Sequence, residues 1–168
     1  MKNALLTLLI LTSSLGLKAQ SLDEHTFDFW LGKWDLTWAG PNGAIEKGTN
    51  HIHTILDGKV IQENFEALTG SQKGFKGISI SVYNPNSKAW RQTWMDNQSA
   101  NINLIGKADR DKKIFQTGEV EINGVKTTSR MAFYNITADS FVWDWEQSND
   151  SGTSWNLVWR INYKRAQD

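Results

Sequence analysis

Cysteine is absent from all 168 residues. That excludes a disulfide staple, a thiolate nucleophile, a thiolate metal site and the lipid-attachment cysteine of a bacterial lipoprotein. Proline occurs only twice, at Pro41 and Pro85. Both lie in turn-like clusters that flank strand-like runs, as hairpin connections do. Histidine is limited to His25, His51 and His53. His51 and His53 fall on one strand face and can share an ion, yet a catalytic zinc site ordinarily takes three protein ligands, so no metal is expected. There is no Gly-x-Ser-x-Gly and no Ser/His/Asp order suited to nucleophilic catalysis. The stretch Asn149-Asp150-Ser151-Gly152 has too few acidic ligands for a calcium loop and reads as a turn. No linker, low-complexity run or change of composition divides the chain.

Long apolar runs are also scarce. The one candidate, Ala4 to Leu17, follows Lys2 and is shorter than the ~20 residues that span a bilayer. With a small residue at Ala19, residues 1–19 read as a signal peptide and residues 20–168 as one domain. Loss of Lys2 and Lys18 leaves sixteen basic and eighteen acidic residues, a net charge near −2. Nothing in that balance invites nucleic acid or insertion into an anionic membrane. A periplasmic or secreted location is expected.

What the chain does have is tryptophan, nine in all. They recur at even spacing: Trp34-x-Leu36-x-Trp38, Trp90-x-Gln92-x-Trp94, Phe141-x-Trp143-x-Trp145 and Trp155-x-Leu157-x-Trp159-x-Ile161-x-Tyr163. Successive strand residues point to opposite faces, so period two marks a strand with one aromatic face and one wet face. Ten strands are expected, at residues 33–38, 44–56, 59–67, 75–83, 89–95, 101–106, 113–122, 125–134, 141–148 and 155–164. Asp57-Gly58 and Asn123-Gly124 are the dipeptides of tight hairpins. Phe27, Trp30 and Leu31 have helical spacing, which predicts a short helix over 23–31 ended by Gly32. No amphipathic helix of useful length remains to cover a sheet face. Closure then protects both the edges and the aromatic face. The expected fold is all-β, a single up-and-down antiparallel barrel of eight to ten strands with a short N-terminal capping helix.

The opening Phe27-Asp28-Phe29-Trp30-Leu31-Gly32-Lys33-Trp34-Asp35 resembles the start of a poorly characterised family of bacterial lipocalin-like domains. Gly32-Lys33-Trp34 matches the Gly-x-Trp that opens calycin barrels, the lipocalins and fatty-acid-binding proteins. Trp90-x-Gln92-x-Trp94 and the spacing of Glu146, Ser148, Asp150, Gly152 and Trp155 extend the likeness over the whole mature chain. The resemblance implies a calycin-like barrel and ligand binding rather than a known reaction. The haem-binding relatives with this barrel use a histidine late in the chain. None follows His53, so no cofactor is expected.

Within such a barrel the tryptophans either fill the interior or wall a small ligand site. Trp34 is expected to plug the closed end. Trp38, Trp90, Trp94 and Trp143 are candidate wall residues. Gln92, and Asp96 two positions beyond Trp94, either satisfy indole donors or fix the polar end of a ligand. Glu63, between Ile61 and Phe65, is a candidate acid or anchor whose pKa burial should raise. Arg130 is its expected partner, or one arm of a carboxylate clamp, unless it faces water. The expected function is non-catalytic binding of a small, largely apolar or aromatic ligand. The alternative is an enzyme of the same fold, an isomerase, cyclase or hydrolase, using Glu63 or Asp96 as general acid or base.

Overall fold

The computed structural model describes residues 22–167. The expected signal segment, residues 1–19, lies outside them. Eleven strands form among the described residues: β1 (Gly32–Ala39), β2 (Ile45–Ile55), β3 (Val60–Ala67), β4 (Lys76–Asn84), β5 (Ala89–Asp96), β6 (Asn101–Asp109), β7 (Lys112–Gln116), β8 (Val120–Ile122), β9 (Val125–Tyr134), β10 (Ser140–Ser148) and β11 (Asn156–Arg165). Every pairing is antiparallel, and β11 returns to β1 while β9 pairs with β10. Ten strands therefore close into an up-and-down barrel, and β8 carries the pairing of β9 beyond it. Closure satisfies the backbone of every barrel strand and leaves no long free edge.

The alternation seen in the sequence sets which residues enter the barrel. Trp34, Leu36 and Trp38 of β1 are buried, while Lys33, Asp35 and Ala39 are exposed. Trp90 and Gln92 of β5 and Phe141 and Trp143 of β10 follow the same rule. The turn between β8 and β9 is the expected Asn123-Gly124, with φ of 51° and 78°. Positive φ at both central residues gives the primed turn whose twist matches the strands. The expected strand over 113–122 is broken at Thr117 to Glu119 into β7 and β8.

The expected capping helix does not form. Residues 24–27 are turn, followed by a single 3-10 turn at Asp28–Trp30. The segment still closes one end of the barrel, through its aromatic side chains. Phe27 stacks on Phe115 at 4.3 Å and meets Trp90 edge-on at 5.3 Å. Trp30 packs against Phe133, and Trp34 against Phe141. Inward side chains also hold its backbone. Trp34 Nε1 donates to Trp30 O, Trp90 Nε1 to Asp23 O and Tyr83 Oη to Leu22 O. Trp34 thus plugs this end, as its place in the opening motif suggests.

Candidate functional site

The opposite end of the barrel is open. It is formed by the ends of β3, β5 and β10 and the starts of β4, β6 and β11. A cavity of about 180 Å³ enters the barrel there. Trp94, Trp143, Trp145 and Trp159 form much of its wall, with Phe65 and Phe75 between them. Trp143 and Trp145 are near parallel, while Trp159 stands at 89° to Trp143, with centroids 5.9 Å apart. Ile102, Met131 and Ile161 complete the apolar lining, and the polar lining is Glu63, Asp96 and Tyr163.

Gly77 makes room for part of this wall. It lies across from Asp96 on β5, and a Cβ added to it would stand 2.1 Å from Cζ2 of Trp94. The glycine is required here by close approach, not by an unusual backbone angle.

Glu63 is fully inside, beside Asn50 on β2 and Ser79 on β4. Asn50 Nδ2 donates to Glu63 Oε1 at 2.6 Å and to Tyr163 Oη at 3.1 Å. Ser79 Oγ donates to Glu63 Oε2 at 2.6 Å. Gln92 Nε2 donates to Ser79 Oγ and Ser81 Oγ. The chain Tyr163–Asn50–Glu63–Ser79–Gln92–Ser81 is a buried polar network crossing five strands. Burial pushes the Glu63 carboxyl up to about 7, and the bonds from Ser79 and Asn50 offset only part of that. Burial and the nearby Glu63 likewise raise the Tyr163 hydroxyl well above its ordinary value. Glu63 has no ion-pair partner among the described residues. Asn50 Oδ1 and Gln92 Oε1 are buried without a hydrogen-bond partner among them. Buried polar atoms are rarely left so, and such orphans mark places where a polar group fits.

Asp96 sits at the rim. Burial acts to raise its pKa, but Trp94 Nε1 and the backbone N–H groups of Ala100 and Gln98 donate to it and bring the pKa below its ordinary value. It is therefore ionised near neutrality.

The sequence candidates divide as follows. Glu63, Trp94, Asp96 and Trp143 line the cavity together. Gln92 faces inward but bonds to serines and to no indole. Trp90 belongs to the plugged end. Trp38 stands behind the wall, 5.3 Å from Trp159, with its indole donated to buried Glu46. Arg130, expected as the partner of Glu63 or a ligand clamp, is neither. Met131 and Phe133 take the inward positions of β9, and Arg130 lies on the opposite face. There its Nε donates to Glu146 Oε2 at 2.6 Å, and its guanidinium lies 3.9 Å from the centroid of the Trp155 ring. Trp155 is itself misplaced by simple alternation. The register of β10 against β11 shifts after Trp145, which pairs with Trp159, so that Glu146 pairs with Leu157. Val158 is the extra residue, and the bulge moves Leu157 and Trp155 to the outer face. His51 and His53 also face outward, flanking inward Ile52, with their rings 4.8 Å apart.

Sequence reasoning missed Asn50, Ser79, Tyr163, Trp145, Trp159 and Phe75 as site residues. Tyr163, Trp145 and Trp159 were visible in the period-two runs, and only their position at the open end was not. Asn50 and Ser79 carry no sequence signal beyond the parity of their strands.

A family match covers this whole region. The chain belongs to the family described as "Protein of unknown function (DUF1579)", which it matches over residues 23–165. No curated protein matches it.

Proposed function

We propose that the protein binds one small, largely apolar or aromatic ligand in the cavity at the open end of the barrel and does no chemistry on it. The observation that carries this reading is the cavity itself: an aromatic wall with a few convergent polar groups, the usual make-up of a small-molecule site. Its volume of about 180 Å³ compares with the ~150 Å³ apolar cavity known to accept benzene. The scale suits a one-ring or similarly compact ligand rather than a long acyl chain. The calycin likeness belongs to the same proposal, because those barrels also bind ligands inside one open end. So does export: a signal peptide over residues 1–19 would place the domain in the periplasm or outside the cell. Sequencing the N-terminus of the exported protein checks this, with Gln20 expected first.

Intrinsic fluorescence tests the binding reading, since four indoles line the cavity. Titration with compact one-ring and branched alkyl compounds should shift or quench the emission and saturate at one per chain. Native mass spectrometry should retain one of them. A panel in which no compound changes emission or adds mass defeats the proposal.

One observation favours a second reading. Glu63 is inward, lacks an ion-pair partner among the described residues and has a pKa of about 7. That is the condition for a general acid or base at neutral pH. Asp96 is the poorer candidate, being held ionised by three donors. In this reading a bound compound is converted on incubation, and Glu63→Gln binds it without converting it. Recovery of unchanged compound after long incubation with the native protein rejects catalysis.

A further inference from the structure

We propose that the ligand of this cavity is a small organic cation, a quaternary or tertiary alkylammonium group of about the size of choline. The inference rests on the reading that the cavity binds a ligand, and adds the chemical class. Three features of the wall converge on it. Trp94, Trp143, Trp145 and Trp159 present indoles to one small volume, and Trp159 stands perpendicular to Trp143. Rings set at right angles in one lining turn faces in more than one direction, and a cation is drawn to the negative face of an aromatic quadrupole, which is how quaternary ammonium groups are recognised.

The charges in the cavity have one sign. Among the described residues its lining holds two carboxylates, Glu63 and Asp96, and no lysine, arginine or histidine. Asp96 stands at the mouth, held by the Trp94 indole at 3.0 Å. Glu63 stands within, with only neutral partners, Asn50 and Ser79. A carboxylate buried beside neutral groups is costly, and a cation within a few ångströms relieves that cost. An anionic ligand meets the reverse. Arg130, the arginine expected to hold it, is on the outer face and already paired with Glu146 at 2.6 Å.

The groups facing Glu63 from neighbouring strands fix the pH dependence. From β2 and β4 they are the neutral Asn50 and Ser79, and from β11 Tyr163, whose pKa lies well above 10. At the rim Asp96 of β5 stays ionised through the neutral range. Among the groups lining the cavity, Glu63 is therefore the one that changes charge between pH 5 and 8, and binding of a cation should tighten as it ionises.

The test is calorimetric or fluorescence titration with choline and with its neutral isostere 3,3-dimethylbutan-1-ol, at pH 5 and pH 8. At pH 8 choline should bind at least about tenfold tighter than the isostere. Its affinity should fall at least about fivefold at pH 5, while that of the isostere does not fall. Glu63→Gln should remove most of the preference. The pH comparison needs no variant and stands even if that protein folds poorly. Equal or tighter binding of the isostere overturns the cation assignment and leaves the binding reading intact. If neither compound binds, nor any member of the neutral panel, both fall.

Discussion

At the scale of single residues, Glu63 governs the behaviour of the site. Asn50 and Ser79 fix its two oxygens, yet neither neutralises it. Its folded pKa, about 7, lies above the ordinary 4.5. The folded state therefore holds a proton that the unfolded state has released between these values. Stability from this group is full below pH 4.5 and is lost as pH rises toward 7. The loss is roughly 3 kcal/mol, at ~1.4 kcal/mol per pKa unit. Thermal denaturation between pH 5 and 7.5 should show a falling melting temperature in the native protein and a flatter curve in Glu63→Gln. His25, exposed and paired with Asp28, has a raised pKa and acts in the same direction above about 6.5. It is common to both proteins and drops out of their difference. A parallel pair of curves contradicts the burial of Glu63. Gln92→Leu is the companion change. It removes the donor to Ser79 and Ser81 but also the orphaned Gln92 Oε1. A loss of about 1 kcal/mol is expected, the worth of an ordinary net hydrogen bond, read from denaturant midpoints.

Glu63 could be read from the sequence because β3 alternates cleanly, Ile61-x-Glu63-x-Phe65. Arg130 could not. From Thr127 to Phe133 every residue of β9 is buried, on both faces. Alternation says nothing where both faces are covered, and at Arg130 the outer cover comes from Trp155, distant in sequence.

At the scale of elements, the bulge in β11 decides which tryptophans belong to the site. It keeps Trp159 in the cavity wall and sends Trp155 outside. The Glu-x-Ser-x-Asp-x-Gly-x-x-Trp run thereby gains a structural meaning. Ser148 Oγ donates to Asp150 Oδ1 and accepts from Gly152 N, and Ser154 Oγ donates to Asp150. The turn so held delivers Trp155 over the Arg130–Glu146 pair. Trp155→Ala should cost roughly 1–2 kcal/mol, the value of a largely desolvated cation–π contact. For a domain of this size that is roughly 2–8 °C in melting temperature. Ligand affinity should not change, because Trp155 is outside the barrel. The N-terminal segment departs from its expected helix for a related reason. Phe27 and Trp30 are three apart, a spacing that a 3-10 turn serves as well. The carbonyls of Leu22, Asp23 and Trp30 are taken by inward side chains of the barrel, and that pins the segment in its tight form. Such contacts join residues as many as 67 positions apart and have no local signature.

At the scale of the whole molecule, one end of the barrel is filled and the other is not. The division follows from where the aromatics fall along the strands. Phe27, Phe115, Phe133 and Phe141 fill the plugged end with Trp90, and Trp94, Trp143, Trp145 and Trp159 ring the open one. Phe27→Ala should cost about 3–5 kcal/mol, as large-to-small changes in a packed core do, with ligand affinity little altered. A loss of affinity matching the loss of stability would mean that the two ends are not independent.

The most direct measurement uses the nine tryptophans as separate reporters. The protein labelled with 5-fluorotryptophan gives one fluorine resonance per indole, assigned by single Trp→Phe changes. On titration with choline or a compact neutral ligand, the resonances of Trp94, Trp143, Trp145 and Trp159 should move together and saturate. Those of Trp30, Trp34 and Trp90 at the plug, and of Trp155 outside, should stay in place. Shifts confined to Trp155, or no saturable shift among the four wall residues, would contradict a ligand site inside the open end of the barrel.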